Sequence, residues 1–239
     1  MKNQAQKKSL YLTFYIAGVV FGLALTLAAT WADLEAAFYG FDHTGGDRMN
    51  TLQCPILMGA DETGSFSVEI TNTTDRSLSP TIKTDVSTAR APVSTYNPIK
   101  LEAGETRRLE WTIGPENVDL GRFILVRAWM YAAYPIKDKE NTCGVMVLPL
   151  PGSGMVYTWG VVALSLLGMG GGLFLLRKAQ SPERGGMDLS RMGALAVIVI
   201  AGLVISFMGN WLAGVLVLVL SLLISVISIG YAFKPSRPE

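Results

Sequence analysis

His43 is the only histidine in this chain of 239 residues, and Cys54 and Cys143 are the only cysteines. That scarcity bounds the chemistry. A single imidazole removes Ser-His-Asp, Cys-His and multi-histidine zinc arrangements. A blue-copper centre needs two histidines and a cysteine, so Cys54 with nearby Met49 and Met58 falls short. Gly152-Ser-Gly suggests a nucleophile elbow, but Pro151 stands where a glycine neighbour is needed and the surrounding strand and helix context does not fit. The sequence holds no glycine-rich phosphate loop with a lysine, no C-x-x-C pair and no haem-attachment motif. Asp61-Glu62 and Asp138 with Glu140 lie in turn-like stretches, where weak calcium binding competes with plain solvation. His43 reads as an exposed loop residue. No catalytic, cofactor-binding or metal-binding residue is assigned, and the chain is read as non-enzymatic.

The organised signal is electrostatic. Four apolar runs, Leu10–Thr30, Met155–Leu176, Met192–Phe207 and Trp211–Phe233, contain no Asp, Glu, Lys, Arg or His. On one side of them lie Lys2, Lys7, Lys8, Arg177, Lys178, Arg184, Arg191, Lys234 and Arg237, against only Glu183, Asp188 and Glu239. An excess of Lys and Arg marks the cytoplasmic side of a membrane protein. Residues 31–154 carry 16 acidic and 11 basic residues and so belong outside. The net charge of +1 conceals this asymmetry. The few basic residues adjoin the spans, which suits anionic lipid headgroups at about 1 kcal/mol each and offers no nucleic-acid footprint.

The expected organisation is a cytoplasmic N-terminus at 1–9, transmembrane helix 1 at 10–31, an extracytoplasmic domain at 32–154 and transmembrane helix 2 at 155–177. A cytoplasmic loop at 178–191, helix 3 at 192–208, helix 4 at 211–233 and a cytoplasmic tail at 234–239 complete it. About 20 apolar residues at ~1.5 Å each cross the hydrocarbon core, whereas a signal peptide's apolar region is shorter. The first run is therefore read as an uncleaved signal anchor. Trp31, Tyr157, Trp159, Trp211 and Tyr231 sit near run ends as interface anchors. Leu148-Pro-Leu-Pro-Gly before a span faintly resembles a cell-wall sorting signal, but Pro151 replaces the threonine and two more spans follow. Gly18 with Gly22, Gly168 with Gly172, and Ser221 with Ser225 have the small-xxx-small spacing that lets membrane helices approach closely. The packing is read as internal to the chain, with contact to another subunit as the alternative. Ion or proton transport is disfavoured, because the spans carry no ionisable residue.

Within the outward segment the apolar period falls to two, the signature of half-buried strands. Phe66, Val68 and Ile70 alternate with polar neighbours, as do Ile82, Thr84 and Val86, then Leu109, Trp111 and Ile113. Strong strands are expected over Arg122–Tyr131 and Thr142–Leu150. About seven short strands with frequent turns predict an antiparallel sandwich. In an oxidising compartment two cysteines in one domain read first as a disulfide, with two separate buried thiols as the alternative. The stretch 32–50 reads as either a short interfacial helix or a loop. Asn72-Thr-Thr is a glycosylation acceptor on an expected loop.

Three segments carry a resemblance: Ser67-Val-Glu-Ile-Thr-Asn-Thr-Thr, Leu101-Glu-Ala-Gly-Glu-Thr-Arg-Arg-Leu-Glu-Trp-Thr-Ile and Gly121-Arg-Phe-Ile-Leu-Val-Arg-Ala. Together they resemble the immunoglobulin-like modules of bacterial and archaeal envelope proteins, including the CARDB type, over about residues 54–150. The resemblance implies a β-sandwich with Cys54 on the first strand and Cys143 on the last, their bridge pinning the domain's start to its end. The expected fold is then a membrane α-helical part with four transmembrane helices plus an all-β immunoglobulin-like sandwich outside. The expected role is a structural or accessory subunit in contact with membrane lipid and other membrane protein subunits. The alternative is a receptor or adhesin binding an extracellular ligand such as a glycan.

Overall fold

The computed structural model describes residues 2–42, 45–132, 134–179 and 186–232. His43, the expected cytoplasmic tail and residues 180–185 of the expected loop lie outside the described residues, as does the side chain of Tyr231. The chain divides into a strand-rich unit, Ala28–Thr158, and a helical unit made of the first 27 residues with Trp159 onward.

Helix α1 spans Lys2–Phe38. It runs on past the expected boundary at Trp31 because Ala32-Asp-Leu-Glu-Ala-Ala is rich in strong helix formers and holds no proline. The undecided stretch 32–50 is thus helical to Phe38, and its later described residues include a two-residue strand at Asp47–Arg48. The strand-rich unit then contributes β1 (Asp47–Arg48), β2 (Leu52–Gln53), β3 (Leu57–Gly59), β4 (Gly64–Thr71), β5 (Thr81–Val86), β6 (Val93–Pro98), β7 (Thr106–Ile113), β8 (Phe123–Tyr131) and β9 (Lys139–Leu148). Six strands make one sheet in the order β1-β9-β8-β5-β6, with β3 also on β9, and β2-β4-β7 make the other. The short strands β1, β2 and β3 and the exposed β6 were not expected from periodicity.

One apolar cluster takes side chains from both sheets, with Phe66, Val68 and Ile70 of β4 meeting Ile82 of β5 and Ile124, Val126, Ala128 and Met130 of β8. These positions are the alternating residues of each strand, so period two delivers one face of each sheet to a shared core. The opposite face of β8 needs a cover of its own. Phe123 and Leu125 on that face form a second cluster with Ala32, Ala36 and Phe41 from the end of α1 and the segment after it. Cys54 and Cys143 are joined in a disulfide with Cα atoms 6.4 Å apart. Cys143 lies on β9, while Cys54 follows β2 directly and is not on the first strand.

The helical unit contains the rest of α1 and most of α2 (Gly154–Ala179), with α3 (Gly186–Phe207) and α4 (Trp211–Ala232). Among the described residues, three helices are long and apolar enough to cross a membrane: Gln6–Phe38, Gly154–Ala179 and Leu189–Phe207. Of the expected fourth span, the apolar helical part among the described residues is the shorter Trp211–Ile227. The α3–α4 turn is made possible by Gly209, whose φ of +58° suits glycine. Asn210 then caps α4, its Oδ1 accepting the Ala213 N–H at 3.3 Å.

Candidate functional site

The outer face of the six-stranded sheet collects the charged and aromatic side chains of the strand-rich unit. Register brings them together: Asp85 lies opposite both Arg127 and Ser94, and Trp129 lies between Lys83 and Glu140. Arg127 has no exposed surface and is the largest fully buried side chain. Its Nη1 donates to Asp85 Oδ2 at 2.8 Å and its Nε to Glu140 Oε1 at 2.9 Å. Burial opposes the charge on the guanidinium, but the hydrogen bonds and charges of Glu140 and Asp85 outweigh it and hold the pKa above the ordinary arginine value. Asp85 also accepts the Ser94 Oγ hydrogen at 2.5 Å and pairs with Lys83 Nζ at 3.2 Å.

Aromatic rings lie across this network. Trp129 and Tyr131 stack with centroids 4.4 Å apart, the Arg127 guanidinium lies 5.5 Å from the Trp129 ring, and Lys83 Nζ lies 5.8 Å from the Tyr96 ring. Tyr96 is 58% exposed on β6, which ends the sheet and so leaves one edge of its backbone open. The arrangement is a rigid, amphipathic face with an open strand beside it. It holds neither a nucleophile paired with a base nor, among the described residues, a group of three His, Cys, Asp or Glu placed for a metal ion.

Two further constellations secure the ends of helices within this unit. The Gly144 N–H donates to Asp33 Oδ1 at 3.1 Å, and a side chain at Gly144 would overlap the Ala32 carbonyl. Glu62 accepts from the Gly154 N–H and the Gly59 N–H at 2.7 Å each and from Ser153 Oγ at 3.0 Å. Burial pushes the Glu62 carboxyl upward, and these three donors outweigh it, leaving the pKa below the ordinary value. Tyr39, by contrast, is pushed up to about 12 by burial and by the Asp119 carboxylate that its hydroxyl donates to. The acidic pair Asp61-Glu62 is therefore half structural: Glu62 caps α2, where a negative charge suits a helix N-terminus.

The residues singled out from the sequence are dispersed. Within the helical unit, Gly18 meets Ser165, Gly168 and Met169, Gly22 meets Val199 and Ser165, and Gly172 meets Tyr15. Ser225 donates its hydroxyl to the Ser221 carbonyl at 2.8 Å, and Ser221 is buried. Trp159 stacks on Phe207 at 5.5 Å, and Trp211 begins α4. In the strand-rich unit, Trp31 lies 6.0 Å from Phe123 and donates to Glu35 at 2.8 Å, and Tyr157 donates to the Pro151 carbonyl. Asn72 corrects an expectation. It has no exposed surface, its amide donates to the Arg76, Leu101 and Glu102 carbonyls, and its Oδ1 accepts from Thr74, so it is a buried turn clamp and not an accessible acceptor for a glycan.

No single residue signal pointed to Arg127, Asp85 and Glu140. Arg127, the charge in the middle of the strong strand Arg122–Tyr131, was the available hint, because a charge on a buried strand needs a partner.

No family model and no curated protein matches the chain. Among solved structures it is similar to the CARDB domain of a Pyrococcus furiosus protein in complex with di-metal ions, at 12% identity and TM-score 0.33, over 45% of this chain and all of that one. It is also similar to a cycloisomaltooligosaccharide glucanotransferase of Paenibacillus sp. complexed with cycloisomaltoheptaose, at 13% identity and TM-score 0.32, over 42% of this chain and 14% of that one. A β-glucosidase from Listeria innocua matches at 15% identity and TM-score 0.29, over 45% of this chain and 17% of the enzyme. The chain thus spans less than a fifth of the length of either enzyme. The immunoglobulin-like CARDB type named from the strand motifs is among these similar structures.

Proposed function

We propose that this chain is a non-enzymatic integral membrane protein, anchored by four helices, that presents an immunoglobulin-like β-sandwich outside the membrane as a contact module. Its partner is another membrane protein subunit, and its role is structural or accessory within a larger complex. The observation that carries this reading is the outer sheet face. Arg127 locks the sheet from beneath, while Tyr96, Trp129 and Tyr131 offer aromatic area beside the open β6 edge. Aromatic residues dominate the energetics of protein contacts, and an open edge strand accepts an added strand. The positions of lysine and arginine along the chain support an inward N-terminus and C-terminus, and the disulfide agrees with an oxidising outer compartment.

Two measurements test it. A membrane-impermeant thiol reagent applied to intact cells should label Ala103→Cys, placed in the β6–β7 turn; protection until lysis would overturn the topology. Mild detergent extraction followed by mass spectrometry should return stoichiometric partners that Tyr96→Ala releases, and a partnerless protein would overturn the role. The same aromatic face also suits a sugar ring, the receptor reading. Glycan-array binding abolished by Tyr96→Ala would favour it over a subunit role.

A further inference from the structure

We infer that the end of the strand-rich unit from which α2 leaves carries a phospholipid site, with Arg122 binding the lipid phosphate beside an apolar cavity. The inference rests on the proposed reading that this unit stands at a membrane surface. Strand pairing defines the end in question. Phe123, the first residue of β8, lies opposite Met146 of β9, and Met146 lies opposite Leu57 of β3. Strand β9 stops at Leu148, and the chain enters the apolar helix α2 at Gly154. Trp31 against Phe123, and Tyr39 on Asp119, bring the end of α1 to the same place.

A cavity of about 440 Å³ opens here, lined by Pro115, Val118, Arg122, Met146, Leu148 and Pro149 among others. The side chains lining it are apolar apart from one cation. Arg122 is exposed, and among the described residues its guanidinium has neither an ion pair nor a hydrogen bond. The neighbouring Asp119 carboxylate is already engaged, accepting from the Tyr39 hydroxyl and the Leu120 N–H. The exposed Glu116 does not line the cavity. An unpaired guanidinium over apolar walls matches a phosphate with its adjoining glycerol and upper acyl carbons.

The turn beside the cavity is shaped for the same neighbour. Leu120 adopts φ +49° and Gly121 φ +77°, and Leu120 is left 55% exposed. Leucine is rare in the left-handed region, and here it occupies that region with its apolar side chain in the open. Leu150, 46% exposed, lies on the same approach to α2. Water is a poor neighbour for this group, and the headgroup–acyl boundary of a bilayer is a good one.

The test uses the full chain in vesicles of phosphatidylglycerol and phosphatidylcholine. The native cysteines are bridged, so a nitroxide label reports only the added thiol in Leu120→Cys, Leu150→Cys or Ala103→Cys. Labels at 120 and 150 should be accessible to oxygen and shielded from a water-soluble nickel chelate, with the label at 103 showing the reverse. Arg122→Gln should lower phosphatidylglycerol retained through native mass spectrometry about fivefold. Labels at 120 and 150 as chelate-accessible as 103 would overturn the lipid site and leave the topology standing. Shielding from both oxygen and chelate would also overturn it, in favour of a protein occupant. Unchanged retention in Arg122→Gln would overturn the phosphate contact. A lipid-facing label at 103 would instead sink the orientation on which the inference rests.

Discussion

The two units of this chain are held together by different means. The strand-rich unit is stabilised by directional polar bonds around an apolar cluster: a disulfide, an ion network through Arg127, the Asn72 clamp and the Glu62 cap. The helical unit has a cluster of Tyr15, Val19, Met169, Ala196 and Val199, with glycines where backbones touch. The difference follows the solvent that the proposed reading gives each unit. In water, burying apolar area drives association, and polar bonds then select one arrangement. In lipid that drive is absent, so close backbone approach at small residues replaces it.

The sharpest way to break this contrast is at the ion network. Asp85→Ala leaves Arg127 buried with only Glu140, and the strand-rich unit should lose about 3–5 kcal/mol. Thermal unfolding of the full chain in detergent, followed by tryptophan fluorescence, checks it; a change below about 1 kcal/mol would show the network to be incidental. Removing the disulfide with Cys54→Ala and Cys143→Ala should cost about 2–5 kcal/mol in the same assay. Without reducing agent the wild-type chain should migrate faster on a gel, and reduction should abolish the difference.

In the helical unit the corresponding lever is volume. A Cβ at Gly18 would lie 2.7 Å from the Ser165 carbonyl oxygen, whereas one at Gly160 meets nothing within 4 Å. Gly18→Val should therefore lower stability by about 1–3 kcal/mol through overpacking, while Gly160→Val leaves it nearly unchanged. Equal effects would dissolve the comparison. The smallest expected change is acid-dependent. Because the folded Glu62 carboxyl titrates below its ordinary value, its contribution is complete above pH 4.5 and is lost as pH falls through the lowered value. Glu62→Gln should cost about 1 kcal/mol at neutral pH, and the gap from wild type should close in acid.

Much of the architecture is legible in the order of residues along the chain. Charge-free runs mark the helices, and Phe66-x-Val68-x-Ile70 marks a strand whose alternate residues reach the core. Strand β6 is invisible there for a physical reason: an edge strand exposed on both faces has no apolar period to display. The continuation of α1 to Phe38 is hidden because Trp31 looks like an interface marker whether or not the helix ends there. Asn72 misleads because a sequon is defined by three adjacent residues, whereas its burial depends on Leu101 and Glu102 in a distant turn.

The sequence by itself determined the kind of each main segment, apolar helix or alternating strand, because solvent preference is written locally, residue by residue, as charge and hydrophobic period. Only the tertiary structure decided which charges meet. Asp85, Arg127 and Glu140 come together through strand register, and register is a property of pairs of segments that no single segment encodes.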